Sequence, residues 1–236
     1  MTLDQTTSSE TTNNKEILPG IQAVILDMDG LMIDSEPFHL KAYNNVLGQF
    51  GVTLTEEENT ERYVGIGDKA QAEDLIIRFQ LSITLEELLT QKQAAYKGFL
   101  KSEVKPQLGL LELLNNLKSA GYRIAIASGS FLSDIEAVMD SLKIRDFINA
   151  YCSVEQVGKG KPAPDILLFT AEKLSISPTR CLYLGDAPSD SQAASAIGMP
   201  NFIIPSRETK TKNFVGANRK LQSLNEVFRY LSHKIV

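Results

Sequence analysis

The stretch VILDMDGLMIDSE, residues 24–36, decides the fold. The apolar run from Ala23 to Leu26 has no polar alternation, which suits a strand covered on both faces, as in a parallel sheet flanked by helices. It delivers two aspartates one residue apart, Asp27 and Asp29, and Gly30 lets the backbone turn directly after them. Open α/β sheets bind ligands beyond the carboxyl ends of their strands. Two carboxylates held together there repel each other and are poorly solvated, so a cation is expected beside them. A hard divalent ion such as Mg2+ is the natural candidate.

Downstream of this loop the pattern is helical for some 65 residues. Glu36 to Phe50 carries Phe38, Tyr43, Val46 and Leu47 as apolar markers and ends at Gly51. Thr55 with Glu58, and Thr84 with Glu87, have the spacing of a capping box and start two further helices. Leu75, Ile76 and Phe79 mark another between them. No strand-like run interrupts residues 36–100, which therefore form a candidate inserted helical domain. After Pro106 strands and helices alternate: Tyr122 to Ala127, a helix from Leu132 to Leu142, Ala150 to Val154, a helix from Asp165, Cys181 to Leu184, a small-residue helix to Ile197, Asn201 to Pro205 and a last helix over Leu221 to Leu231. Alternation of this kind implies βαβ units and a parallel sheet, with residues 19–35 and 101–236 as its core. Residues 1–18, rich in Thr, Ser and Asn, read as a disordered tail.

The composition narrows the function. The chain has 236 residues, 43% hydrophobic, with a formal net charge of −5. Nothing electrostatic recommends nucleic acid or an anionic membrane as a partner. No run approaches the roughly 18 apolar residues of a membrane helix. Cys152 and Cys181 lie in apolar surroundings without a CxxC or a nearby histidine pair, which fits reduced thiols in a cytoplasmic protein. Oligomeric state is not legible.

Polar loops follow strand-like or neighbouring segments at Asp27 and Asp29, Ser128 to Ser130, Lys161, and Asp186 with Asp190. In a parallel sheet the loops after strands emerge at one edge, so these groups can converge. Carboxylates from two loops can bind Mg2+, which bridges to phosphate oxygens. A hydroxyl, free N–H groups and a lysine suit the remaining phosphoryl oxygens. One carboxylate can attack phosphorus and a second can protonate the leaving oxygen and then activate water, roles that Asp27 and Asp29 fit.

Taken together, DMDG from Asp27, ASGS from Ala127, KPAPD from Lys161 and GDAPSD from Gly185 resemble the haloacid dehalogenase superfamily. The longer DMDGLMIDSEPFH, with a helical insert directly behind it, is similar to the branch of β-phosphoglucomutase-like sugar phosphatases. The resemblance implies a Rossmann-like core with an inserted α-helical cap. It makes Asp27 the nucleophile and Asp29 the general acid/base. It makes Asp27, the Asp29 backbone carbonyl and Asp186 the Mg2+ ligands, with Asp190 nearby as a further candidate. It assigns phosphate binding to Ser128, the Gly129 N–H and Lys161, which precedes its proline as the family's lysine does, whereas Lys159 does not. The acidic loop departs from the branch's common EDS form, with Gly185 in place of the first acid and Asp190 where glycine is usual.

Within the insert, Glu36, His39 and Lys69 are candidates for contact with the substrate's non-phosphate end, Lys69 from a turn-rich loop over Tyr63 to Lys69. Asp34 reads as fixing the passage into the insert, and His233 as a surface residue. The expected activity is Mg2+-dependent hydrolysis of a small phosphorylated metabolite, most simply a sugar phosphate. A phosphomutase sharing the same core residues and a catalytically silent regulatory module are the competing readings. A hydrolytic dehalogenase fits less well, since it needs neither the acid at Asp29 nor the metal.

Overall fold

The computed structural model describes residues 18–63 and 66–231. Strands β1 (Ala23–Leu26), β2 (Arg123–Ser128), β3 (Ala150–Ser153), β4 (Cys181–Gly185), β5 (Asn201–Ile203) and β6 (Arg219–Lys220) form one sheet in the order β3-β2-β1-β4-β5-β6. Every pairing is parallel. The chain starts at the middle, winds outward through β2 to β3, then returns to β4 on the other side of β1. This reversal makes the β1/β4 boundary the topological switch point, where open α/β sheets leave a crevice.

All residues of β1 are buried, and their alternation sorts two cores. Val24 and Leu26 face one cluster with Ile124, Ile126, Leu182, Leu184 and Phe202. Ala23 and Ile25 face another with Ala125, Ala127, Leu167 and Tyr183. Helices α5 (Leu110–Ser119) and α6 (Leu132–Ser141) supply residues to the first cluster, α7 (Asp165–Leu174) and α8 (Pro188–Ser195) to the second. A continuous apolar strand is thus what two-sided coverage requires.

Between β1 and β2 lie α1 (Glu36–Leu47), α2 (Glu56–Arg62), α3 (Asp68–Phe79) and α4 (Leu85–Ser102). They enclose their own apolar cluster, including Tyr43, Val46, Leu54, Leu75 and Leu88. Both expected capping boxes form: Thr55 accepts from the Glu58 N–H at 3.1 Å and Thr84 from the Glu87 N–H at 3.2 Å, with each glutamate reaching back to the cap N–H. The separation from the sheet is incomplete, since Phe38, Ala42, Tyr96 and Leu100 are buried in the first sheet cluster. The two connections run side by side: Ile33 bridges Asp29 and Pro106, and the Gln107 N–H donates to the Met32 carbonyl at 2.8 Å.

The carboxyl-terminal end departs from expectation. The strand expected over Asn201 to Pro205 stops at Ile203, and the helix expected over Leu221 to Leu231 is instead a 3₁₀ stretch, Leu224–Tyr230, preceded by β6. Leu224 and Val227 are buried, and their three-residue spacing matches a helix of three residues per turn. The proposed tail, apart from Leu18, and His233 lie outside the described residues. Among the described residues no helix is long and apolar enough to cross a membrane. Cys152 and Cys181 are buried free thiols, as read from the sequence.

Candidate active site

The Asp27 N–H donates to the Leu184 carbonyl at 2.8 Å, extending the β1/β4 pairing by one residue and fixing the carboxylate at the switch point. The chain then turns: Gly30 has φ +79°, and its N–H reaches the Ile33 carbonyl at 2.9 Å. A side chain at Gly30 would overlap the Asp186 carboxylate, so glycine here serves both the turn and the close approach of the two acidic loops.

Lys161 joins those loops. Its ammonium lies 2.7 Å from Asp27 Oδ1 and 2.7 Å from Asp190 Oδ1, and donates to the Tyr183 hydroxyl at 3.0 Å. Those three partners match its three donors. Burial alone would lower the ammonium's pKa, but Asp190 and Asp27 outweigh it and hold Lys161 well above the ordinary lysine value. Lys159, by contrast, is exposed.

Asp190 is fully buried and engaged at both oxygens. Oδ2 accepts from the Asp186 and Ala187 N–H groups at 3.0 and 2.9 Å, and Oδ1 accepts from Tyr183 at 2.9 Å besides Lys161. Gly185 makes this possible: a Cβ there would stand 2.5 Å from the Asp190 side chain. Gly185 and Asp190 are therefore coupled, since a side chain at position 185 would exclude the Asp190 carboxyl from its place.

Asp27, Asp186 and Asp190 bring carboxylate oxygens within 4.8 Å of one another, all buried. Burial pushes the Asp27 carboxyl well above the usual range; Lys161 opposes the rise while Asp190 and Asp186 add to it. Asp186 is pushed up to about 7, by burial first and then by Asp190. A buried set of hard oxygen donors with more negative charge than Lys161 balances fits a divalent cation, whose charge would reverse both shifts.

Asp29 is ringed by hydroxyls. Ser130 Oγ and Ser128 Oγ donate to its Oδ2, the latter at 3.3 Å, and Tyr96 donates to Oδ1 at 3.4 Å. Ser128, buried at the end of β2, also accepts the Ser130 N–H at 3.0 Å, and the N-cap of α6 is Phe131. Gly129 lies exposed between the two serines, with no atom within 4 Å of where a Cβ would stand.

On the helical side, His39 stacks on Tyr96 with ring centroids 4.2 Å apart. His39 Nδ1 is 2.9 Å from Lys92 Nζ, which also donates to the Asp68 carboxylate at 2.7 and 2.8 Å. Lys92 is 1% exposed, with Tyr43 and Tyr96 rings beside it. Burial, then Lys92, lowers His39 to about 4, so the imidazole is neutral with its proton on Nε2. Glu36, first residue of α1, is raised to about 7 by burial, then by Glu208, Asp29 and Asp34. Lys69 points elsewhere: it is 74% exposed and 3.9 Å from Glu73.

Thus the structure gathers Asp27, Asp29, Ser128, Lys161, Asp186 and Asp190 at one sheet edge, with Glu36 and His39 above them. Sequence reasoning missed Ser130, Tyr96, Tyr183 and the Asp68–Lys92 pair. Ser130 stood within the ASGS run. Tyr183 and Tyr96 sit at fully buried positions, and their hydroxyls reach Asp190 and Asp29.

Residues 24–204 match the family model of haloacid dehalogenase-like hydrolases. The chain is 31% identical over 209 residues to hexitol phosphatase B of Escherichia coli O157:H7, covering 88% of this chain and 94% of that one. It is 31% identical over 181 residues to fructose-1-phosphate phosphatase YqaB of Escherichia coli K12, covering 75% and 92%. Its fold superposes on CbbY of Rhodobacter sphaeroides, solved with phosphate, with a TM-score of 0.76 at 25% identity, covering 88% and 96%. The chain belongs to the haloacid dehalogenase-like hydrolase family.

Proposed function

We propose that this chain is a Mg2+-dependent phosphatase of small phosphorylated carbohydrates, acting through an aspartyl phosphate on Asp27. The observation that carries the reading is the Lys161 ammonium 2.7 Å from Asp27, beside the buried carboxyl of Asp186. The phosphatase names of the two relatives point the same way. Residues 36–100 act as the cap, and residues 19–35 with 101–236 as the catalytic core.

In the first step Asp27 attacks phosphorus, the ester P–O bond breaks, and Asp29 gives its proton to the leaving alkoxide. In the second, Asp29 takes a proton from water as that water attacks phosphorus. The acyl phosphate bond then breaks, returning the Asp27 carboxylate and free phosphate. Lys161 neutralises phosphoryl oxygens, and Ser128 and the Gly129 N–H supply further donors. The hydroxyls of Ser130 and Tyr96 hold the Asp29 carboxyl in place between the two steps. Asp27, Asp186 and the Asp29 carbonyl would hold Mg2+, which when bound supplies positive charge against the phosphoryl group. Asp190 acts as the counter-ion and anchor of Lys161.

Asp27→Asn tests the mechanism. It should abolish Mg2+-dependent phosphate release from fructose 1-phosphate and sorbitol 6-phosphate while circular dichroism stays unchanged. Retained release would refute the assignment of the nucleophile. Isomerised ester appearing in place of free phosphate would replace hydrolysis with phosphoryl return to sugar.

A further inference from the structure

Above Asp29, the helical layer and the core enclose a cleft with two lobes. A cavity of about 200 Å3 is lined by Glu36, His39, Asn59, Tyr63, Asp68 and Gln71 among others. A cavity of about 350 Å3 shares Glu36 and Asn59 with it and extends to Asp34, Glu56, Arg207 and Glu208. Tyr96 links the cleft to the chemistry, with its ring on His39 and its hydroxyl on Asp29.

The charge of this cleft is one-sided. Asp34, Glu36, Glu56, Asp68 and Glu208 contribute carboxylates. Among the described residues, each cation at or behind its walls already has an acid. Arg207 pairs with Glu56 at 2.5 Å, Lys41 pairs with Glu103, and Lys92 pairs with Asp68 at 2.7 Å from behind the wall. His39 is neutral. What remains for a ligand is a set of hydroxyl, amide and carboxylate groups, which suits hydroxyl donors and amines. A second anion would enter a negative field with no free partner.

Resting on the phosphatase reading above, we propose that this cleft selects by charge: it accepts phosphate monoesters whose leaving group is a neutral polyol or carries an amine, and rejects those with a second phosphate or a carboxylate. Glu36 and the Glu56–Arg207 pair are the specificity-determining groups. This selection also disfavours a mutase, because returning a phosphoryl group to a different hydroxyl of a sugar phosphate requires the site to hold a bisphosphate.

The test uses three esters that share a six-carbon chain and differ only at C1: sorbitol 6-phosphate, 1-amino-1-deoxysorbitol 6-phosphate and 6-phosphogluconate. Binding is measured by calorimetry on the full-length Asp27→Asn protein with Mg2+ at pH 8, and hydrolysis on the unmodified protein. The neutral and amino esters should bind within about 10-fold of each other, and 6-phosphogluconate at least about 100-fold more weakly. Glu36→Gln, and separately the double variant Glu56→Gln with Glu208→Gln, which removes both acids paired with Arg207, should each narrow the gap at least about threefold by strengthening 6-phosphogluconate binding. Binding of 6-phosphogluconate within about threefold of sorbitol 6-phosphate overturns the proposal, and hydrolysis of both would leave the phosphatase reading standing. The predicted order of binding without hydrolysis of any ester upholds charge selection and refutes the phosphatase reading. No binding of any ester overturns both.

Discussion

Replacing Asp190 separates a metal ligand from a counter-ion. In Asp190→Ala, the Lys161 ammonium keeps only Asp27 as a charge partner, Tyr183 loses an acceptor, and the Asp186 and Ala187 N–H groups lose theirs. Removing one partner of a buried ion pair typically costs about 3–5 kcal/mol, because the other charge stays buried. For a chain of this size, about 2–4 °C of Tm per kcal/mol gives a fall of roughly 6–20 °C. Asp190→Asn keeps the shape and one acceptor for the two N–H groups but sets an amide opposite the ammonium, so it should lose less stability and still lower kcat. If Asp27, Asp186 and the Asp29 carbonyl hold the ion, Mg2+ affinity of Asp190→Asn, read by calorimetry, should change by less than about 10-fold. Unchanged Tm together with loss of Mg2+ binding in Asp190→Asn would refute the anchoring role and make Asp190 a ligand.

Three further outcomes follow from the same geometry. Because Asp186 is pushed up to about 7, Mg2+ must displace its proton at lower pH. Apparent affinity should fall about tenfold per pH unit below 7 and level off above about 8, measurable by calorimetry across that range. His39, depressed to about 4, stays neutral in the folded protein while an unfolded histidine binds a proton near 6.5. Its contribution of up to about 3 kcal/mol is therefore present above pH 6.5 and lost as pH falls towards 4; an NMR titration showing His39 with an ordinary value would refute this. Gly185→Ala drives a Cβ to 2.5 Å from Asp190 and should destabilise by about 1–3 kcal/mol, read as a shift in the urea midpoint without a change of slope.

The legible part of this protein was what depends on the period and chemistry of single segments. The unbroken apolar run of β1, the two threonine capping boxes and the alternation from Pro106 as far as α8 each express a local rule, and each appears where expected. The site residues that follow strands were legible because a parallel sheet brings such loops to one edge. What escaped was reach across distance. The Tyr96 hydroxyl meets Asp29 from α4, and Lys92 pairs with Asp68 from a helix position that reads as solvent-facing. The terminal 3₁₀ stretch was misread because Leu224 and Val227 satisfy an α-helical spacing as well as a threefold one.

The neck formed where Ile33 lies beside Pro106 bears on recombination between relatives. The chain leaves the sheet and re-enters it at adjacent points, so a foreign helical layer could be spliced between them without changing the order of the strands. Phe38, Ala42, Tyr96 and Leu100 set the condition for such a graft. They belong to the insert by sequence but to the sheet by burial. A chimera joined at the neck that keeps these four side chains preserves the packing of the host sheet beneath the new helices. One that replaces them with residues of different volume carries a damaged core into the new protein.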